Sequence, residues 1–379
     1  MYDQIREDIL FILFYGGVTV MALMASCYLL FRRGNAFASD ITSPVRLRRW
    51  GAAFLASIAL SHAWYMPVFF LTSADAIKMT DLIGGLLDCM TFFPLAIVLL
   101  LTMLQDRRRP LWPVAAMMVP IVVGGVINVA TRSYAFLPIV YAYFLLMCIG
   151  LIINMVRALK EYGRWLRDNY ADLEHKEVWQ SFVVLAVILL VFAFYVFTSE
   201  GPVYQYAMQV IFVILICYLL WRVETLSDLS LPVNDAAEEI VTTEHEEDNA
   251  LSLSIRNRSA LPLGLSKNIG PLLKMYCEEP QLYLQYDISI FKLAAQIGIN
   301  RSYLSKHFAL QGISYNDYIN GLRIQHFTKL YHEAAATKKP ITVKQLAHQS
   351  GFRSYSTFNA AFKQSMGMTA TEWMNNIAE

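Results

Sequence analysis

Seven stretches of mainly apolar residues, each close to the roughly 20 that an α-helix needs to cross a bilayer, govern what this chain can become. They lie at 9–31, 51–72, 82–104, 111–130, 136–156, 181–199 and 203–223. The fourth is interrupted by Pro113, Pro120 and the Gly124-Gly125 pair, breakers that membrane helices tolerate because neighbouring groups re-satisfy the freed backbone. With 56% hydrophobic and only 16% charged residues and a mean hydropathy of +0.41, a wholly soluble chain is excluded. The first stretch is preceded by Asp3, Glu7 and Asp8 against a lone Arg6. That is the reverse of a signal-peptide n-region, so a retained span is expected.

Loop charge orients the spans. The first loop holds Arg32, Arg33, Arg46, Arg48 and Arg49, the third Arg107, Arg108 and Arg109, and the fifth Arg157, Lys160, Arg164, Arg167 and Lys176. The intervening loops hold Lys78, Arg132 and no basic residue in turn. By the positive-inside rule the odd loops face the cytoplasm, which puts the N-terminus outside and, after seven spans, the C-terminus inside.

The formal net charge of +1 conceals three regions. Residues 1–223 carry 17 Lys/Arg against 14 Asp/Glu, residues 224–250 none against 9, and residues 251–379 14 against 7. A near-neutral apolar body is thus joined by an acidic strip to a basic third, an asymmetry that points to an anionic partner for the tail. The strip shows no strong apolar period, so residues 224–262 read as an acidic flexible linker between a domain at 1–223 and another at 263–379. Five cysteines (Cys27, Cys89, Cys148, Cys217, Cys277) with no CxxC pair support neither a disulfide framework nor a zinc site.

The C-terminal third repeats itself. Leu293-Ala294 followed by Gly298 returns as Leu346-Ala347 followed by Gly351; Leu304 and Phe308 return as Phe358 and Phe362; Gly312 and Tyr318 return as Gly367 and Trp373. Each copy reads as an apolar helix, a glycine turn, a polar cap (Asn300, Ser354) and a second helix with inward residues four apart. That is a helix-turn-helix: the small alanine lets two helices approach, and the second helix turns a polar face outward.

Two such units in about 110 residues resemble the AraC/XylS-type DNA-binding domain. The resemblance covers roughly 270–379 and includes Ile288 to Leu310, the run Gly312-Ile313-Ser314-Tyr315-Asn316-Asp317-Tyr318-Ile319 leading to Leu322-Arg323, and Ile341-Thr342 to Lys363. It implies two units joined by a long helix at about 315–335, whose recognition helices enter successive major grooves of double-stranded DNA. Carried over by position, the outward residues are Arg301, Ser302, Ser305 and Lys306 in the first unit and Tyr355, Ser356 and Asn359 in the second. Arg and Lys suit guanine, Asn suits adenine, and Ser serves either. Ala360 stands where the family usually has a basic residue, Ala370 where it often has Pro, and Met374 where it often has Arg. The second unit is therefore expected to read DNA through shape and phosphate more than through base edges. Tyr303 and His307 read as packing or solvated surface.

Ionisable groups inside spans are costly and mark candidate sites. His62, Asp88, Gln205 and Gln209 all fall in the outer half of the membrane, with Asn128 and Glu200 at similar depth, and Trp64, Tyr65 and Tyr134 frame them. Together they form a candidate ligand pocket; the competing reading is interhelical hydrogen bonding that fixes packing. No GxSxG, HExxH or Walker-type loop occurs, so no catalytic residues, metal ligands or cofactors are assigned.

The expectation is an all-α protein: a seven-helix transmembrane bundle plus a cytoplasmic all-α domain with two helix-turn-helix units. Its function would be that of a membrane-embedded one-component transcription regulator. The expected partners are double-stranded DNA, the lipid bilayer and a small-molecule or envelope signal, with a homodimer open. The alternative is a polytopic transporter or membrane enzyme regulated by a DNA-binding tail, which internal symmetry among the spans would favour; none is evident.

Overall fold

The computed structural model describes residues 8–32, 34–37, 41–187, 202–229, 269–337 and 342–378, and the chain divides into two compact units. Unit 1 comprises residues 1–162 and 175–230; unit 2 comprises 163–174 with 231–379. Among the described residues the chain is helical throughout, without strands.

In unit 1, α1 (Ile9–Phe31), α2 (Val45–Tyr65), α3 (Ala74–Met90), α4 (Phe92–Met103), α5 (Trp112–Thr131), the first part of α6 (Leu137–Asn169) and α7 (Pro202–Thr225) provide six candidate spans, α3 and α4 counting as one. All six are long and apolar enough to cross a membrane. The expected sixth stretch, 181–199, is helical over 179–187, and the remainder lies outside the described residues. The break between α3 and α4 at Thr91 follows from Pro94, which has no N–H to offer the Met90 carbonyl four residues back. Pro120, by contrast, sits within an unbroken α5.

Gly51 is where three helices close on one another. A Cβ there would lie 3.3 Å from Leu29 of α1 and 3.3 Å from Val223 of α7, the close approach that small residues permit in apolar bundles. Ser26 Oγ donates to the Ala52 carbonyl at 2.8 Å across the same seam. A second cluster joins α4, α5 and α6 through Ile97, Val98, Val114, Met118, Ile121 and Met147.

Two features of unit 1 were not expected. Arg48, counted as a solvated loop charge, is buried and pairs with Glu224 at 3.3 Å while donating to the Leu29 and Arg32 carbonyls. Glu224, counted with the acidic linker, is wholly buried in the last turn of α7 and also accepts from the Ala36 N–H at 3.0 Å. The linker from residue 230 onward lies outside the described residues.

In unit 2, α8 (Ile290–Ile297) and α9 (Arg301–Leu310) pack on the first half of α10 (Tyr315–Ala336); α11 (Val343–Gln349), α12 (Tyr355–Met366) and α13 (Ala370–Ala378) pack on its second half. One core gathers Leu293, Ala294, Leu304, Phe308, Tyr315 and Ile319, the other Phe327, Leu346, Phe352, Phe358 and Phe362. A single helix carries both.

Candidate nucleic-acid interface

Each half of unit 2 is built by the same local chemistry. Ser289 caps α8 by accepting from the Lys292 N–H at 3.3 Å, and Asn300 caps α9 by accepting from the Ser302 N–H at 2.9 Å. Between them Gly298 takes φ +75°, a region that costs other residues roughly 1 kcal/mol or more. In the second half, Thr342 and Gln345 form a capping box on α11, Gly351 turns at φ +88°, and Ser354 caps α12. With Leu304, Phe308, Phe358 and Phe362 drawn into the cores, the polar faces of α9 and α12 are left outward.

On α9, Arg301, Ser302, Ser305 and Lys306 are all exposed, as the outward assignment requires. Arg301 is nevertheless engaged: Nη1 donates to Asn169 Oδ1 at 3.1 Å, and the guanidinium lies 4.7 Å from the Phe291 ring centroid. Of the three α12 residues assigned outward, only Ser356 is exposed. Tyr355 is half-buried, with its ring 5.8 Å from Phe358 and packed against the second core. Asn359 is half-buried too, and its side-chain oxygen is shielded without a hydrogen-bond partner among the described residues. Among the residues assigned to DNA, the second helix thus offers fewer exposed polar groups than the first. Ala370, in the place of a family proline, is the first residue of α13 and wholly buried. Tyr303 is half-buried against the first core, and His307 is half-buried with its ring nitrogen 3.0 Å from the Gln311 amide. Burial holds the His307 imidazole below its usual pKa.

Arg323, to which the sequence assigns no role beyond its place in the motif, ties the two halves together. It is 1% exposed. Nε donates to the Tyr283 carbonyl at 2.7 Å and Nη2 to the Gln285 carbonyl at 2.7 Å. Burial lowers its pKa, opposed by nearby Asp172. These bonds fix the 3₁₀ turn Leu282–Leu284, which abuts Gly351, and so tie α10 to the second turn.

The polar residues of unit 1 come together only partly. His62 is buried; its Nδ1 donates to the Ile58 carbonyl at 2.9 Å and its Nε2 meets the Gln209 amide at 3.0 Å. Tyr15 donates to the His62 carbonyl at 2.6 Å. Asp88 instead accepts from Ser61 Oγ and Trp64 Nε1, each at 3.2 Å. Gln205 is half-buried one turn from Gln209. Asn128, in the last turns of α5, accepts from the Phe136 N–H at 3.1 Å through Oδ1 while its buried Nδ2 has no hydrogen-bond partner among the described residues, and Glu200 lies outside the described residues. A pair not anticipated joins Tyr206 to Asp8 at 2.8 Å.

Two capped helix pairs on one connecting helix, each with an outward second helix, define a double helix-turn-helix module of the DNA-binding class. Residues 293–376 match a family model described as a helix-turn-helix domain. The TCP pilus virulence regulatory protein of Vibrio cholerae serotype O1, in two strains, is 29% identical over 82 residues, covering 22% of this chain. The chain matches 28% of the length of these curated relatives. No solved structure matches the chain. The C-terminal segment is an AraC-type helix-turn-helix domain, as the repeat and its residues implied.

Proposed function

We propose that the chain is a membrane-embedded one-component transcription regulator whose C-terminal domain reads duplex DNA in the cytoplasm under the control of a signal received by the membrane unit. The observation that carries this is the presence, in one chain, of a double helix-turn-helix module and six helices of membrane-crossing length and apolarity. The loop arginines and lysines support an outside N-terminus and an inside C-terminus. On the DNA side, Arg301, Ser302, Ser305 and Lys306 form the main reading edge, and Tyr355, Ser356 and Asn359 a weaker one. On the signal side, the His62–Gln209 and Asp88–Ser61 pairs are the candidate receiving groups, since a ligand donor or acceptor can exchange with either pair.

The test uses the full chain in lipid discs, with a genomic duplex pool from which bound fragments are selected. An enriched sequence is expected. Lys306→Ala should relax preference at one base pair by about 1–3 kcal/mol, whereas removing a lysine that touches only phosphate should weaken all sequences alike. Binding without sequence preference at low salt would overturn the regulator reading.

A further inference from the structure

Unit 2 includes a piece of chain that neither helix-turn-helix copy accounts for. After α6 ends at Asn169, the next residues lie across the first copy and touch the amino-terminal ends of three of its helices. Tyr170 pairs with Ser289, the cap of α8, in an antiparallel bridge, and the Ala171 N–H donates to the Ile288 carbonyl at 3.3 Å. Asn316, in the first turn of α10, donates through Nδ2 to the Tyr170 carbonyl at 3.2 Å and the Ala171 carbonyl at 2.7 Å. Asn169 accepts from Arg301, the first residue of α9. The Ala171 methyl is wholly buried among the residues of the first core.

The amino-terminal end of a recognition helix is the part that reaches base edges, and Arg301 is the side chain there best suited to guanine. With Nη1 bonded to Asn169 and the guanidinium lying over Phe291, the exposed side chain is held toward residue 169 and has to leave both contacts to lie flat against a base. A duplex requires the same helix end and the same guanidinium. We propose that residues 169–172 are an autoinhibitory strap: docked, it withholds Arg301 and the start of α9 from DNA, and DNA is read when it lifts. This rests on the reading of α9 as a DNA-contacting helix. Because the strap is the direct continuation of α6, whose earlier residues belong to unit 1, it is also the route by which a change in the membrane unit reaches the DNA-binding face.

If only the undocked form binds DNA, the apparent dissociation constant equals the intrinsic one divided by the undocked fraction. Loosening the strap then tightens binding, and locking it abolishes binding. The experiment uses the full chain in lipid discs with a labelled duplex selected by the unmodified protein. Asn169→Ala removes one hydrogen bond from a charged donor, so binding should tighten by roughly tenfold. A structural role for the strap would instead leave binding unchanged or weaken it, and either result overturns the proposal. A second arm replaces the bridged pair, Tyr170→Cys with Ser289→Cys, because residues opposed in an antiparallel bridge lie at disulfide-compatible separation. Oxidation should abolish DNA binding and reduction restore it, with the parent chain indifferent to both treatments. If the oxidised, cross-linked protein binds as well as the reduced one, the strap does not inhibit. Failure of the parent chain and of Asn169→Ala alike to select any duplex would instead count against the DNA-reading assignment itself.

Discussion

Gly298 and Gly351 occupy equivalent positions in the two repeats, and the structure predicts that they tolerate alanine unequally. Both have positive φ, +75° and +88°, so an alanine at either pays about 1–2 kcal/mol for the left-handed backbone. At Gly298 the added methyl meets nothing within 4 Å. At Gly351 it would lie 2.7 Å from the Leu284 Cα and 2.9 Å from its carbonyl oxygen. That is backbone, not a side-chain tip, and it belongs to a turn pinned on both sides by Arg323. Relieving the clash adds roughly 1–3 kcal/mol, the range for overpacked sites. Gly351→Ala should therefore cost about 2 kcal/mol more than Gly298→Ala. At ~4–8 °C per kcal/mol for a domain of this size, the gap in melting temperature is roughly 10 °C. Hydrogen exchange on the full chain in lipid discs reads this by element: Gly351→Ala should raise exchange in α11 and α12 far more than Gly298→Ala raises it in α8 and α9. Equal losses would refute the idea that the Leu284 turn, and not the dihedral alone, sets the cost.

Reporter fusions after residues 50, 109 and 230 should behave as cytoplasmic and fusions near 76 and 133 as external; a cytoplasmic signal at 76 contradicts the proposed topology. His62→Ala and Asp88→Asn each break an interhelical contact, worth about 1 kcal/mol in a membrane bundle, so protein level should hold while a reporter driven by the selected operator stops responding to growth conditions. Loss of the protein itself in both variants would mark the pairs as packing groups only. For pH, burial holds His307 and His326 below the usual histidine value, with Lys329 adding to the effect at His326. The unfolded chain then binds more protons than the folded one near and below about pH 6.5, so stability is lost as pH falls from about 7 toward 5. Exchange protection in α9 and α10 should decline over that window, and His307→Gln together with His326→Gln should flatten the decline.

How much of this could be read in advance depended on whether the signal was local. Apolar length marks a candidate span without reference to any partner, so three of the six were legible to within two residues and the other three were found but with one end misplaced by six to thirteen. The repeat was legible because caps, glycine turns and four-residue spacing are short-range chemistry: Asn300, Ser354, Gly298 and Gly351 do what their types suggest. Illegible were pairings between distant residues. Arg48 and Glu224 each look like solvated charges and become one buried ion pair only when α1, α2 and α7 meet. Hydropathy ended the fifth span near 156, whereas α6 continues to Asn169, since Arg, Lys, Glu and Leu sustain a helix after apolarity stops. Ala171 carried no signal at all, because a lone small residue in a polar loop looks the same whether it is exposed or set into a core.

That last residue bears most on how the molecule works. A regulator of the proposed design must convert an event among its spans into access to a helix end, and the size of the conversion is bounded by what holds the strap down. One bond from a charged donor, two from Asn316, one from the Ala171 N–H and a buried methyl amount to a few kcal/mol after ordering is discounted. Moving a two-state equilibrium from 1:99 to 99:1 takes about 5.5 kcal/mol, and holding about 99% of molecules docked takes about half of that, so a dock of the proposed kind is strong enough to keep the reading edge closed in the absence of a signal. It is also weak enough for a modest rearrangement at the end of α6 to open it. A much tighter strap would leave no signal of ordinary binding energy able to release Arg301, and a much looser one would leave nothing to control. On the proposed reading, the small contact area, three residues against three helix ends, is what makes control from the preceding unit energetically feasible.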